Sequence, residues 1–249
     1  MLLLQFKLLP LSTALLYHNR LLASLAEDDL ASLSPHLEPV GLRLGTVLIE
    51  PDQPICHAFF PEQGLGSVVA NSQSGSGAEI GLVGRDGFVG TSLVLGSDRI
   101  PHQIFMQVGG HGHRISADAL RQAFEASPTL RSLLLCYVQT FLIQTAQTAL
   151  ANASAPVEER LARWLLMYHD RQEGDELSIT HEFLSLMLGV RRPTVTVALQ
   201  MLEGARLIQA RRGRVIVLNR AGLEEAAGEA YGPAEAEYAR LISPLRRTA

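Results

Sequence analysis

The stretch Ser178–Asn219 admits few folds. Phe183, Leu184, Met187 and Leu188 recur at helical spacing behind Thr180, a residue suited to cap a helix N-terminus, with Glu182 in the first turn. Gly189 follows at once, as expected where a helix ends in a left-handed residue. Val190 is placed to plug the core beneath so tight a turn. A second helical pattern starts near Arg191-Arg192, with Pro193 tolerated in its first turn. Val195, Ala198, Leu199 and Leu202 share one side of it. Pro193, Thr196, Val197, Gln200 and Gly204 share the other, flanked by Arg192. Leu207-Ile208 and Val215–Leu218 then read as strands around Arg211-Arg212-Gly213-Arg214, where Gly213 suits a turn of positive φ. Helix, glycine turn, helix and basic hairpin together predict a winged helix-turn-helix.

Charge agrees with that reading. Residues 189–220 hold seven arginines against one acidic residue, Glu203, whereas the whole chain of 249 residues carries a net charge of −4. A basic segment on an acidic body calls for an anionic partner at that segment alone. In a duplex groove, Arg192 matches guanine, Gln200 matches adenine, and Val197 or Pro193 meets a thymine methyl, with Thr196 on the same face. Thr180, Arg191 and Thr194 are placed for phosphate, as are Arg211, Arg212 and Arg214 on the hairpin.

The preceding chain changes texture twice. From 37 to 115, glycine and proline punctuate short apolar runs: Leu42–Leu44, Val47–Ile49, Ile55–Phe60, Leu65–Ala70, Glu79–Val83, Ile104–Val108 and His111–Ile115. Such runs predict an all-β barrel, sandwich or roll, with Asn71–Gly77 as a flexible loop. Ser116 can cap a helix running to about Ala126, and Pro128 suits the first turn of the next. That helix, about 129–152, contains neither glycine nor proline. Leu130, Leu134, Tyr137 and Phe141 follow a near-heptad spacing and predict a seam against a second copy of the chain. Asn152–Pro156 reads as a hinge, and Arg171–Glu176 as a polar loop.

The start of the chain is nearly all apolar, but Lys7 and Pro10 interrupt it. A signal peptide places its charge before the apolar run, and a membrane span needs about 20 apolar residues. Residues 1–18 are read as an extension or short amphipathic helix, and no other segment as transmembrane. Two cysteines, Cys56 and Cys136, exclude a disulfide scaffold and suit a reducing compartment, so cytoplasm is expected.

Ile179-Thr180-His181-Glu182, Leu188-Gly189-Val190-Arg191-Arg192, Thr194-Val195, Ala198-Leu199, Met201-Leu202-Glu203, Leu207-Ile208 and Arg212-Gly213-Arg214 resemble the winged helix of the cyclic-AMP receptor protein/Fnr family of bacterial transcription regulators. The resemblance extends over roughly 19–230 in order and texture. It implies an α+β chain: a cyclic-nucleotide-binding-like β-roll over 19–127, a dimerisation helix over 128–153, a winged helix-turn-helix over 154–230 and a tail over 231–249. It also implies a homodimer on a two-fold-related DNA operator, RNA polymerase as a further partner, and a small-molecule effector of unknown identity.

The sequence departs from that family where a cyclic nucleotide is held. Gly90 is kept, but Thr91 stands where a ribose-binding Glu is usual, and Pro101-His102 where Arg-Ser or Arg-Thr is usual. Gly90, Thr91, Arg99 and His102 remain the candidate ligand residues, and cyclic-AMP binding in the usual manner is not expected. Pro193 and Val197 replace the cyclic-AMP receptor protein's Glu and Arg, so its operator is not carried over. Cys56-His57 and His111-Gly112-His113 are the remaining pairs open to metal or haem chemistry; no cofactor is assigned. No nucleophile with an adjacent base and no P-loop is present, so an enzyme is not expected. The second reading is a nucleotide-binding regulatory module that acts through protein or RNA contacts.

Overall fold

A computed structural model describes residues 17–71 and 77–243. Nearly all of the apolar segment 1–18, most of the loop Asn71–Gly77 and the end of the chain from 244 lie outside the described residues.

Two antiparallel sheets form the first half. One has β1 (Glu38–Leu42), β7 (Gly110–Ser116) and β3 (His57–Pro61), in that order. The other has β2 (Val47–Ile49), β6 (Gln103–Val108), β4 (Leu65–Asn71) and β5 (Gly77–Val83). The first strand ends where the sequence reading began it, at Leu42, because Arg43–Thr46 form a turn with Gly45 at φ +79°. Short helices α1 (Arg20–Ala23), α2 (Glu27–Leu33) and α3 (Thr91–Val94), with α4 (Ala117–Ala126), close the roll. Asn19 caps α1 and donates to the carbonyls of Pro61 and Gly87, pinning α1 to the roll while Leu21 and Leu22 enter its core.

Pro128–Ser154 form one long helix, α5, capped by the Ser127 hydroxyl. The expected seam is corrected here. Leu130, Leu134 and Tyr137 are buried in the chain's own core, and Phe141 packs partly buried against it. The cause is close backbone approach: a Cβ at Gly87 would meet the Tyr137 hydroxyl at 2.0 Å, and one at Gly81 the Phe141 ring at 2.7 Å. Glycines at both positions admit the aromatic face of α5 to the sheet, and Gln144 bonds both backbone groups of Leu82. The face left outward is Leu135, Gln139, Leu142, Ala146, Ala149 and Ala153. By length and composition alone α5 qualifies to cross a bilayer, which the sequence reading had not credited; its inward face is packed on protein.

The second half is α6 (Val157–His169), β8 (Glu176–Ser178), α7 (His181–Leu188), α8 (Arg192–Gly204), β9 (Ile208–Arg211), β10 (Arg214–Val217) and α9 (Arg220–Ala227). The strand β8 was not predicted; it pairs with β10 and completes a sheet in the order β8-β10-β9. The span from 231, read as a tail, contains helix α10 (Pro233–Leu241), which packs on α5 and buries Tyr238.

The halves share an apolar junction. Leu65 and Leu82 of the roll lie in one apolar cluster with Leu161, Leu165, Leu184 and Leu188. Glu79 of β5 is buried at this junction, accepting from Trp164 Nε1 at 2.7 Å and from the Ser67 hydroxyl at 2.6 Å. Burial pushes this carboxyl up to about 7, although both hydrogen bonds favour its charged form. Nearby Asp86 pairs with Arg171 at 2.7 Å, both nearly inaccessible, and the Asp86 carbonyl accepts from Tyr238. Arg171 is therefore a core residue rather than part of a solvated loop.

Candidate nucleic-acid interface

The local chemistry of α7 and α8 sets the reader's geometry. Thr180 caps α7 by accepting from the Phe183 amide, and Gly189 ends it at φ +61°. The Ser185 hydroxyl donates to the Val190 carbonyl, closing the turn. Arg160 from α6 donates to the Leu188 carbonyl, placing a cation at the negative end of α7. Arg191 then takes the N-cap position of α8 with Pro193 in its first turn.

Helix α8 divides as its sequence implies. Val195, Ala198, Leu199 and Leu202 are 0–4% exposed and hold it to α6 and α7. Arg191, Arg192, Pro193, Thr194, Val197 and Gln200 are all exposed. Thr196 differs: it is half-buried, bonds the Arg192 carbonyl and lies 3.3 Å from His181 Nδ1. It braces α8 on α7 instead of facing outward. Met201, which the angular reading left unassigned, is 52% exposed and adds an apolar surface next to Val197 at 55%.

The hairpin places Arg211 and Arg212 exposed at its tip, with Gly213 at φ +76°. Arg214 is exposed too, but its guanidinium meets Glu176 of β8 at 3.0 Å. Glu176 was missed because β8 was missed; its alternation with buried Leu177 was the available signal. Arg191, Arg192, Arg211 and Arg212 form no ion pair with another described residue. Open guanidiniums flanking an exposed helix face suit phosphate and base edges.

The candidate ligand residues do not make an equivalent site. Gly90, at φ +111°, precedes α3, which Thr91 opens. Arg99 is exposed and engages its neighbour Asp98 at 3.0 and 3.2 Å, and His102 is half-buried on the loop before β6. Phe60 stacks on Phe88 with ring centroids 5.4 Å apart, and Phe88 meets Tyr137 at a tilt with centroids 5.3 Å apart. Among the described residues, no cluster of three His, Cys, Asp or Glu side chains could hold a metal ion. His113 lies against Tyr17 and Glu62, and His111 is exposed.

A short glycine turn between two helices, an arginine-tipped wing and an outward basic helix face define a winged-helix DNA-binding protein joined to a β-roll. Residues 159–226 match the family described as the Crp-like helix-turn-helix domain. The chain carries that domain on the fold of Crp/Fnr-family transcriptional regulators. FixK2 of Bradyrhizobium japonicum is similar at a TM-score of 0.67 and 13% identity, covering 78% of this chain and 99% of its own. A protein of Eubacterium rectale assigned to the Crp/Fnr family gives 0.65 and 17%, over 84% and 98%. The c-di-GMP-responsive global regulator CLP of Xanthomonas campestris gives 0.62 and 20%, over 77% and 99%. At these identities the likeness is one of fold. No curated protein matches the sequence.

Proposed function

We propose that this chain is a sequence-specific transcription regulator that binds a two-fold-related DNA operator as a homodimer. The observation that carries the reading is the outward face of α8, from Arg191 to Gln200, flanked by the open guanidiniums of Arg211 and Arg212. Arg192 and Gln200 read bases, Val197 and Pro193 meet thymine methyls, and Thr180, Arg191 and Thr194 hold phosphate. Thr196 serves indirectly, by fixing α8 on α7.

The second subunit docks along the outward stripe of α5. Leu135, Gln139, Leu142, Ala146, Ala149 and Ala153 alternate spacings of four and three residues, the pattern of a coiled-coil seam. Pairing there presents two readers to one duplex. RNA polymerase is the further partner, and a DNA partner places the protein in the cytoplasm.

Cyclic AMP does not enter the roll in the usual manner. Supporting this, Tyr137 and Phe141 press against Gly87 and Gly81, and Arg99 is engaged by Asp98. Thr91 offers a hydroxyl where a ribose-binding carboxylate is usual.

Fluorescence anisotropy on a duplex selected from a random pool tests the reading. Arg192→Ala should weaken binding by about 1–3 kcal/mol on that duplex and little on a scrambled one. Equal affinity for selected and scrambled duplexes would remove the proposal.

A further inference from the structure

A cleft of about 540 Å³ lies between the roll and the reader. Leu44, Val108, Ile179 and Phe183 supply its apolar walls. Its size falls among small-molecule sites, which run from about 300 to 1,000 Å³. The reader's own elements contribute to it: Thr180 caps α7, and Gly213 belongs to the wing. An occupant therefore touches both halves of the protein.

Its chemistry is selective. Among the described residues, none of the side chains lining the cleft is ionisable. A charged ligand would lose its hydration there without gaining a counter-charge. At the base stands Gln107, 5% exposed. One end of its amide meets the Ser67 hydroxyl inside the sheet, and the other has no hydrogen-bond partner among the described residues. A buried amide end left unpaired is costly, and a ligand with a matching polar edge relieves that cost. Phe183 offers an aromatic surface, packed edge-on to Phe105 at 6.3 Å.

We propose that this cleft binds a neutral, planar small molecule whose edge carries adjacent hydrogen-bond donor and acceptor groups, as in a lactam. The ring system lies against Phe183, and the lactam edge pairs with the inner amide of Gln107. The site is separate from the roll interior near Gly90 and shares Thr180 with the proposed phosphate contacts.

Phenanthridinone, a neutral tricyclic lactam, is the probe, titrated into the full-length protein without DNA. Trp164, the one tryptophan of the chain, reports through its emission. It is linked to Gln107 through Glu79 and Ser67. Saturation-transfer NMR gives a second readout. The expected result is saturable binding, weakened at least tenfold by Phe183→Ala and by Gln107→Leu. Leu44→Glu, at a position 73% exposed where folding is not at stake, should weaken it at least threefold. A ring-carboxylated phenanthridinone should bind at least tenfold more weakly than the neutral probe. No saturable binding, or equal affinity in all three variants, overturns the site. Because DNA is absent from the assay, either outcome is independent of the proposed operator binding.

Discussion

Trp164 donates its indole N–H to Glu79 at 2.7 Å, so the DNA-reading half of the chain is held to the roll through a buried carboxyl. Ser67 of β4 holds the second carboxyl oxygen, and Met187 of α7 packs on Ser67 from the reader side. The junction thus combines an apolar seal with a group that titrates near neutrality.

Stability should carry the imprint of that carboxyl. Burial raises Glu79 from 4.5 to about 7, so the folded chain holds this proton more tightly than the unfolded one. Its contribution is fully present below the unfolded value and lost as pH rises through 7. A shift of this size corresponds to about 3 kcal/mol. Urea unfolding between pH 4 and 8 should show wild type losing that much relative to Glu79→Gln. Parallel profiles for the two proteins would show that Glu79 is ionised throughout.

The Asp86–Arg171 pair makes a sharper demand. Both side chains are under 5% exposed, so deleting either strands a buried charge. Asp86→Ala and Arg171→Met should each destabilise by about 3–5 kcal/mol. The double substitution should cost less than the sum of the two. Additive losses in a double-mutant cycle would show that the two do not interact.

Two faces of α5 should respond differently. Leu142→Glu, at a site 57% exposed, should leave the fold intact and convert a dimer to monomer in sedimentation. Tyr137→Ala, at 2% exposure, should cost about 3–5 kcal/mol of stability through the cavity it leaves. Dimers that survive both Leu135→Glu and Leu142→Glu would place the subunit contact elsewhere.

The wing arginines should not be equivalent. Arg212→Ala should reduce the slope of log affinity against log salt by about 1, evenly across sequences. Arg214→Ala should change it less, because Glu176 already offsets that charge. Salt titrations of DNA binding compare them directly.

The reader was legible in the sequence because its signals are local. Thr180, Gly189 and Pro193 each mark a turn or cap through their own backbone chemistry, and the inward residues of α8 obey one period. The choice of face on α5 was not legible. That helix is apolar all round, and the glycines at 81 and 87, distant in sequence, are what admit its aromatic side to the roll. Arg171 failed for a related reason: its partner Asp86 lies in a turn of the other half. The run Arg171–Glu176 looks solvated until the two halves meet. Helix α10 was passed over because its anchor, Tyr238, is a single residue whose partner is a backbone carbonyl at Asp86.

Sequencing of duplexes selected by the wild type and by Gln200→Ala most directly tests whether α8 reads DNA. The account predicts an inverted repeat with half-sites about one helical turn apart for the wild type. It further predicts that Gln200→Ala relaxes one position in each half-site while the rest of the motif stays. No enriched motif, or an identical motif from both proteins, would contradict it.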